Sequence, residues 1–499
     1  MFGQQVKWRS AVAARRRLAS AFVLSFSILL LMLFLAPPAS AVTGCVFASG
    51  TVTVTINSPA TALIGVNVVA GDDEIVFDND NTLAGAGQCG GTATVANTNL
   101  IDVNGSSGGE AFFIDFSDGP FASNNDFNID LSTGSDRLTV VGSGGADTIS
   151  FASATSITLG GGTDITLASG SVEAFTVNAG VGNDTVSGGS FATAIIINGN
   201  AGDDILTGGS GVDAINGGAG NDTISGGAST ANDTLTGGDG TDTLTYAAFT
   251  AALTVNLATT TAQNTGGAGT DTISTFENVT GGSGADNLTG STGVNTIVGG
   301  AGNDTINGGD GNDNLQGDAG DDTLIGGAGD DTINGGDDTD TVSYAGTTGA
   351  VIVNLSVTTA QNTVGAGTDT ITNSENLRGG SGGDTLTGTS GANVVGGKEG
   401  NDTLDGGDGN DTLRGGAGDD SAKGSTGDDS VRLGEGNDAG RGGGGNDALR
   451  GGDGNDALRG GGNNDHLRGG AGNDLIRGGS GNDTCKGGPG TNHIKGCEN

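Results

Sequence analysis

From residue 379 to residue 495 the chain repeats every nine residues, thirteen times in succession without insertion or deletion, and most copies read Gly-Gly-x-Gly-(Asn/Asp)-Asp-x-apolar-x. A unit this short buries almost nothing by itself. Such a chain is stable only where successive units stack into a solenoid. Residues 406–414 (GGDGNDTLR) and 451–459 (GGDGNDALR) are clean copies. Glycines at the first, second and fourth positions admit backbone angles closed to residues with a side chain, so the chain can turn tightly with its carbonyls gathered inward. Residues seven to nine are expected to form a short strand whose eighth side chain (Leu413, Leu449, Leu458, Leu467) points one way and its neighbours the other.

The sixth position adds a carboxylate to those carbonyls. A hard cation such as calcium takes six to eight oxygens of this kind and tolerates flexible geometry. In the long run the candidate ligands are Asp384, Asp402, Asp411, Asp420, Asp429, Asp438, Asp447, Asp456, Asp465, Asp474 and Asp483. An earlier block supplies Asp286, Asp304, Asp313, Asp322, Asp331 and Asp340, and a first block Asp204, Asp213, Asp222, Asp233 and Asp242. Asp271 and Asp369 stand in two longer segments, and Asp147 and Asp184 in degraded copies (GSGGADTIS, AGVGNDTVS).

These residues resemble the secreted calcium-binding nonapeptide-repeat proteins, the RTX or hemolysin-type repeats. The resemblance implies an all-β fold, a parallel β-roll with two units per coil. It also implies several calcium ions held between successive turns by sixth-position aspartates and backbone carbonyls. A lone GGxGxD in so glycine-rich a chain is a weak signal; thirteen units in register are a strong one.

Composition agrees. With 103 Gly in 499 residues the chain would read as low complexity if the glycines lacked a period. The formal charge is -40, and beyond residue 41 there are 13 basic against 58 acidic residues, a net of -45. Self-repulsion of that size opposes a compact state unless counterions are built in. Coupling folding to calcium binding resolves the conflict, because binding free energy then becomes folding free energy.

Residues 1–41 read as a signal peptide: Lys7, Arg9 and Arg15 to Arg17, an apolar stretch over 18–35, and Ala39-Ser40-Ala41. The alternative is a retained anchor, since that stretch nearly spans a bilayer. No other segment approaches membrane length, so the processed chain is expected to be exported with no stable membrane span. Many relatives leave by an uncleaved C-terminal signal, which weakens any analogy with pore-forming toxins. Four cysteines suit an oxidising destination. Three pairings are formally open, and proximity favours Cys45 with Cys89 and Cys485 with Cys497, the latter fastening the tail over the last coil.

Residues 42–198 carry degraded repeats and short β-prone runs, expected to form an irregular β-solenoid or a sandwich. Regular blocks follow at 199–245, 281–343 and 379–499. Between them, 246–280 and 344–378 match at a constant offset of 98 residues (Val255-Asn256-Leu257 with Val353-Asn354-Leu355, Glu277-Asn278 with Glu375-Asn376). They are expected to be duplicated rungs of wider β-helix, with Asn and Thr satisfying backbone groups at turns. A binding patch is the other reading.

Arg414, Lys423, Arg432, Arg441, Arg450, Arg459, Arg468, Arg477, Lys486 and Lys495 recur at the outward ninth position, where earlier units most often have Thr, Ser or Asn. Two units per coil would arrange them in two columns, one per face. Two uses fit. They can balance nearby carboxylates and keep exposed edges soluble, or, once calcium is bound, hold a polyanion such as an acidic polysaccharide or lipopolysaccharide.

Catalytic signatures are wanting. HExxH is absent, and the G-x-S-x-G at 379–383 lies inside a calcium unit. No nucleic-acid module is recognisable. The expected function is therefore a non-enzymatic, calcium-folded extracellular protein with a structural, adhesive or surface-associated role. The alternative is a carbohydrate-active enzyme of lyase or epimerase type, using the repeats as a folding module. Against it, residues 42–198 hold Arg137 as their only basic residue and neither His nor Tyr.

Overall fold

The computed structural model describes residues 172–498 continuously, with residue 147 and the strands that lie between 44 and 167 before them. Among the described residues every regular element is a β-strand, and no helix is long and apolar enough to cross a membrane. The expected leader at 1–41 and the side chains of Cys45 and Cys89 lie outside the described residues. The chain divides into two compact units, residues 1–201 and 202–499.

In the first unit most strands pair in parallel. Thr51–Thr55 lies beside Leu100–Asn104, which lies beside Asp126–Asp130. A second ladder runs from Leu63–Val68 through Ala111–Asp115 and Asp136–Val141 to Val172–Val181. Antiparallel pairs accompany these ladders, such as Gly44–Ala48 with Thr51–Thr55 at the start of the first. This is the pairing of an irregular solenoid; sandwiches of the usual kind stack antiparallel sheets.

The second unit is a regular coil. Thr412–Ala417 pairs in parallel with Ser430–Glu435, setting Leu413 beside Val431. The intervening Ser421–Thr426 pairs with Ala439–Gly444 in another sheet. Parallel sheets of twelve and eight strands result, with neighbouring strands about 4.8 Å apart. The eighth-position row is buried, Leu413 and Leu449 completely and Leu458 and Leu467 to 2% exposure. Where this row thins at Ala422 and Gly440, Leu433 occupies a first position that is otherwise glycine. A Cβ on Gly440 would come within 3.0 Å of its Cδ1, so the large residue fills what the small ones leave.

The strands are longer than the three residues expected. Ser430–Glu435 continues through the first three positions of the next unit, alternating exposed and buried residues up to Leu433. The first position therefore faces inward, and its glycine has a different purpose from the others. Gly452 and Gly454, at second and fourth positions, have φ of +139° and +132°. Gly451 has no such angle; it is needed for space, because its Cβ would lie 2.0 Å from Asp456 Oδ2.

Each insertion ends one sheet and founds the next. Gly269–Ser274 is the last parallel strand of its ladder and is covered by antiparallel Gln263–Gly266. Thr254–Asn256 then starts the twelve-stranded sheet. Thr368–Thr372 with Gln361–Asn362 repeats this ending, and Ile352–Asn354 starts the eight-stranded sheet.

Candidate calcium sites

Because residues six, eight and one of the next unit alternate inward, each sixth-position carboxylate is carried into the wall of the coil. Its Oδ1 accepts the N–H of the sixth residue one coil earlier. Asp438 donates to Asp456 at 3.0 Å and Asp456 to Asp474 at 3.1 Å in one column. Asp429 donates to Asp447 and Asp447 to Asp465, both at 2.9 Å, in the other. In the first unit Asp147 donates to Asp184 at 2.7 Å.

Oδ2 has no such outlet. Between Asp222 and Asp483, seventeen of these aspartates keep Oδ2 buried with no hydrogen-bond partner. The oxygen faces the gap left by the first-position glycine. The place a Cβ of Gly451 would take is 2.0 Å from Asp456 Oδ2 and 2.5 Å from the carbonyl oxygen of Gly469, one coil on. Gly469 repeats this with Asp474 Oδ2 at 2.1 Å and Gly487 O at 2.6 Å. Oxygens gathered without a donor among them are costly in a buried place unless a cation joins them. Among the described residues no three Asp, Glu, His or Cys side chains converge on one point. Such a site is one carboxylate with backbone carbonyls, an all-oxygen set that suits calcium and not zinc.

Without a cation, burial drives these carboxyls toward protonation. It pushes Asp304 and Asp420 up to about 7, and Asp242, Asp402 and Asp456 up to about 6, the N–H bond at Oδ1 opposing it.

The candidates are not equivalent. Oδ2 of Asp213, Asp286 and Asp384 accepts the N–H of Gly209, Gly282 and Gly380 at 2.6, 2.8 and 2.8 Å. Asp271 Oδ2 accepts the Tyr246 and Thr265 hydroxyls, both at 3.0 Å. Asp369 Oδ2 accepts those of Tyr344 at 2.8 Å and Thr363 at 3.2 Å. These two aspartates close their columns and are satisfied from within the protein. Asp233 receives the Asp213 N–H at Oδ1, at 2.8 Å, and burial pushes it up to about 7.

Several members of the columns escape the nonapeptide pattern. Glu277 and Glu375 accept the N–H of Asp242 and Asp340 at 2.7 and 2.9 Å, standing in for aspartate. The signal was the apolar residue two places on, Val279 and Leu377. Asn295 and Asn393 hold sixth positions with neutral amides, whose nitrogens donate to Glu277 O at 2.5 Å and Glu375 O at 2.6 Å. Leu253 and Val351 begin the two new columns and donate to Asp286 and Asp384 at 2.8 and 2.9 Å. A first member has no earlier coil to serve, so it needs no carboxylate.

A family model described as the RTX calcium-binding nonapeptide repeat matches residues 176–192, 198–249, 280–342 and 369–494, more than half of the chain. The chain belongs to the RTX calcium-binding repeat family. No individual curated protein matches it. The two long unmatched intervals inside the RTX region, 250–279 and 343–368, coincide with the two insertions, where hydroxyls and apolar residues replace the calcium-type loop. The disulfide expected at the end of the RTX roll is present between Cys485 and Cys497, twelve residues apart.

The ten basic residues fall in two columns. Arg414, Arg432, Arg450, Arg468 and Lys486 stack in register in the twelve-stranded sheet. Lys423, Arg441, Arg459, Arg477 and Lys495 stack in the eight-stranded one. All ten are exposed.

Proposed function

We propose that this RTX protein is exported, folds its roll on binding calcium at the partnerless sixth-position carboxylates, and serves outside the cell as a structural or adhesive scaffold and not as a catalyst. The observation that carries the reading is the buried Oδ2, repeated seventeen times between Asp222 and Asp483 with no donor near it. Calcium supplies the missing positive charge there. The chain's own part is to hold each carboxylate by its Oδ1 bond and to clear the space beside it with the first-position glycine. Without the cation each column is a row of like charges about 4.8 Å apart, and the free energy of binding becomes free energy of folding. Asp271 and Asp369, closed by Tyr and Thr hydroxyls, belong to the scaffold and not to the metal sites.

Export is supported by the leader pattern at 1–41 and by the secretion typical of RTX proteins. A structural role is supported by repetition itself, since the roll offers a long, regular surface. Circular dichroism of the full chain between chelator and calcium tests the central step. β-Content should rise cooperatively with a midpoint of roughly 0.1–1 mM, the range of extracellular modules. A spectrum unchanged from chelator to 10-fold above that range rules the reading out.

A further inference from the structure

The two cationic columns have no internal explanation. Residues directly opposite on neighbouring strands interact, and like charges there are destabilising. Here Arg414 faces Arg432, which faces Arg450, and so on through Lys486, while Lys423 to Lys495 repeats this in the other sheet. Eight such like-charge pairs stand in register. Balancing of nearby carboxylates does not account for them. Among the described residues one ion pair exists, Lys423 to Asp405 at 3.1 Å, at the N-terminal end of one column. The other nine cations have no carboxylate of a described residue within salt-bridge distance.

The surface around each column is plain. Seventh positions beside the cations are Thr, Ser, Ala, His or Leu, and the two residues that follow each cation are mostly glycine, so the chain next to the column adds little bulk. The exposed acids of this region, such as Asp419, Asp428 and Asp453, stand at third and fifth positions, outside the ninth-position rows. The eighth-position rows of both sheets are buried, so the two ninth-position rows point away from each other.

We propose that each column binds a linear anionic polysaccharide lying along the coil axis, so that one molecule holds two polymer strands and cross-links them. The inference rests on the calcium-filled roll, because calcium cancels the buried aspartates and leaves the outward cations to set the local field. A straight row of cations every 4.8 Å or so matches a polymer with about one anion per sugar. Residues 379–499 contain no Phe, Tyr or Trp. Single-stranded nucleic acid, whose binding leans on aromatic stacking, is therefore the poorer fit.

The test uses the full chain in calcium, with carboxymethylcellulose as probe and neutral hydroxyethylcellulose as control. The protein should bind the anionic polymer alone, with affinity falling steeply with salt, and should raise the polymer's viscosity by cross-linking. Changing one column to Gln should abolish cross-linking and keep binding. Changing both should weaken binding about tenfold or more, and a both-column variant with Arg and Lys exchanged should restore it. Circular dichroism on each variant separates the two claims. If calcium induces the β-spectrum and the ten-Gln variant binds as the parent does, the columns are not the site. Displacement of the polymer by an equal charge of single-stranded DNA overturns the choice of polysaccharide. If calcium leaves the spectrum unchanged while the columns still govern binding, the calcium reading fails and the columns stand.

Discussion

The Tyr344 hydroxyl donates to Asp369 Oδ2 at 2.8 Å, satisfying inside the protein the oxygen that Asp331, one coil earlier in the same column, keeps buried without a partner. The same sixth-position aspartate thus exists in two forms, one closed by a phenol and one open to a cation.

The two forms should answer differently to neutralisation. Asp438→Asn, Asp456→Asn and Asp474→Asn should each lower the calcium stoichiometry and raise the folding midpoint. Asp369→Asn should leave the stoichiometry unchanged. Equilibrium dialysis with radioactive calcium measures both, and equal losses from Asp369→Asn would remove the distinction.

Tyr344→Phe removes one of the two hydroxyls on Asp369 Oδ2. A buried carboxylate deprived of a hydrogen bond costs about 1–3 kcal/mol. Denaturant unfolding in saturating calcium should show that loss, and Tyr246→Phe should show a similar one at Asp271. Stability equal to the parent's would mean that water reaches the carboxylate.

Glycine positions should separate by cause. Gly451→Ala puts a Cβ 2.0 Å from Asp456 Oδ2 and should cost about 2–3 kcal/mol and one calcium site. Gly444→Ala, at a third position with nothing within 4 Å, should change stability by no more than about 0.5 kcal/mol. Thermal unfolding in calcium compares them directly.

Acid should partly replace calcium. Burial raises Asp420 to about 7 and Asp402 and Asp456 to about 6 in the metal-free roll, whereas in the unfolded chain such groups titrate near 3.9 or so. Between those values the folded form holds protons that the unfolded form has released. Metal-free stability should therefore rise as pH falls from about 7 toward 4 and be lost above about 7. Calcium needs the ionised carboxylate, so its apparent affinity should fall over the same interval. Chelator-treated protein that gains no β-structure between pH 8 and pH 4.5 would contradict this.

Reducing the Cys485–Cys497 bridge frees a tail whose last strand, His493–Lys495, is mostly exposed. A loop of this length contributes about 3 kcal/mol. Hydrogen exchange should quicken in the final coil and not at Leu413, which isolates a capping role from a global one.

Much of this was legible beforehand because a period is a local property. The spacing of Leu413, Leu449, Leu458 and Leu467 predicted an inward row; the resemblance to the nonapeptide-repeat family implied two units per coil, and with the ninth-position Arg and Lys that gave columns of cations. The roll has all three. Glu277 and Glu375 were noticed only as duplicated residues. Their place in the carboxylate columns depends on a bond to an aspartate 35 residues earlier, which no nine-residue window contains. The first-position glycine was grouped with the second and fourth, since a sequence does not distinguish a residue needed for its φ from one needed for its missing Cβ.

By itself, then, the sequence determined the repeat, the inward and outward faces, and the kind of cation an all-oxygen lining accepts, because these follow from alternation along a strand and from side-chain chemistry. Tertiary structure alone decided which carboxylates are open and which are closed, where each column begins and ends, and that the cations stack with nearly no acidic neighbour. Those properties belong to contacts between coils, 18 to 38 residues apart in the chain, where the partner of each group is set by what the next turn happens to present.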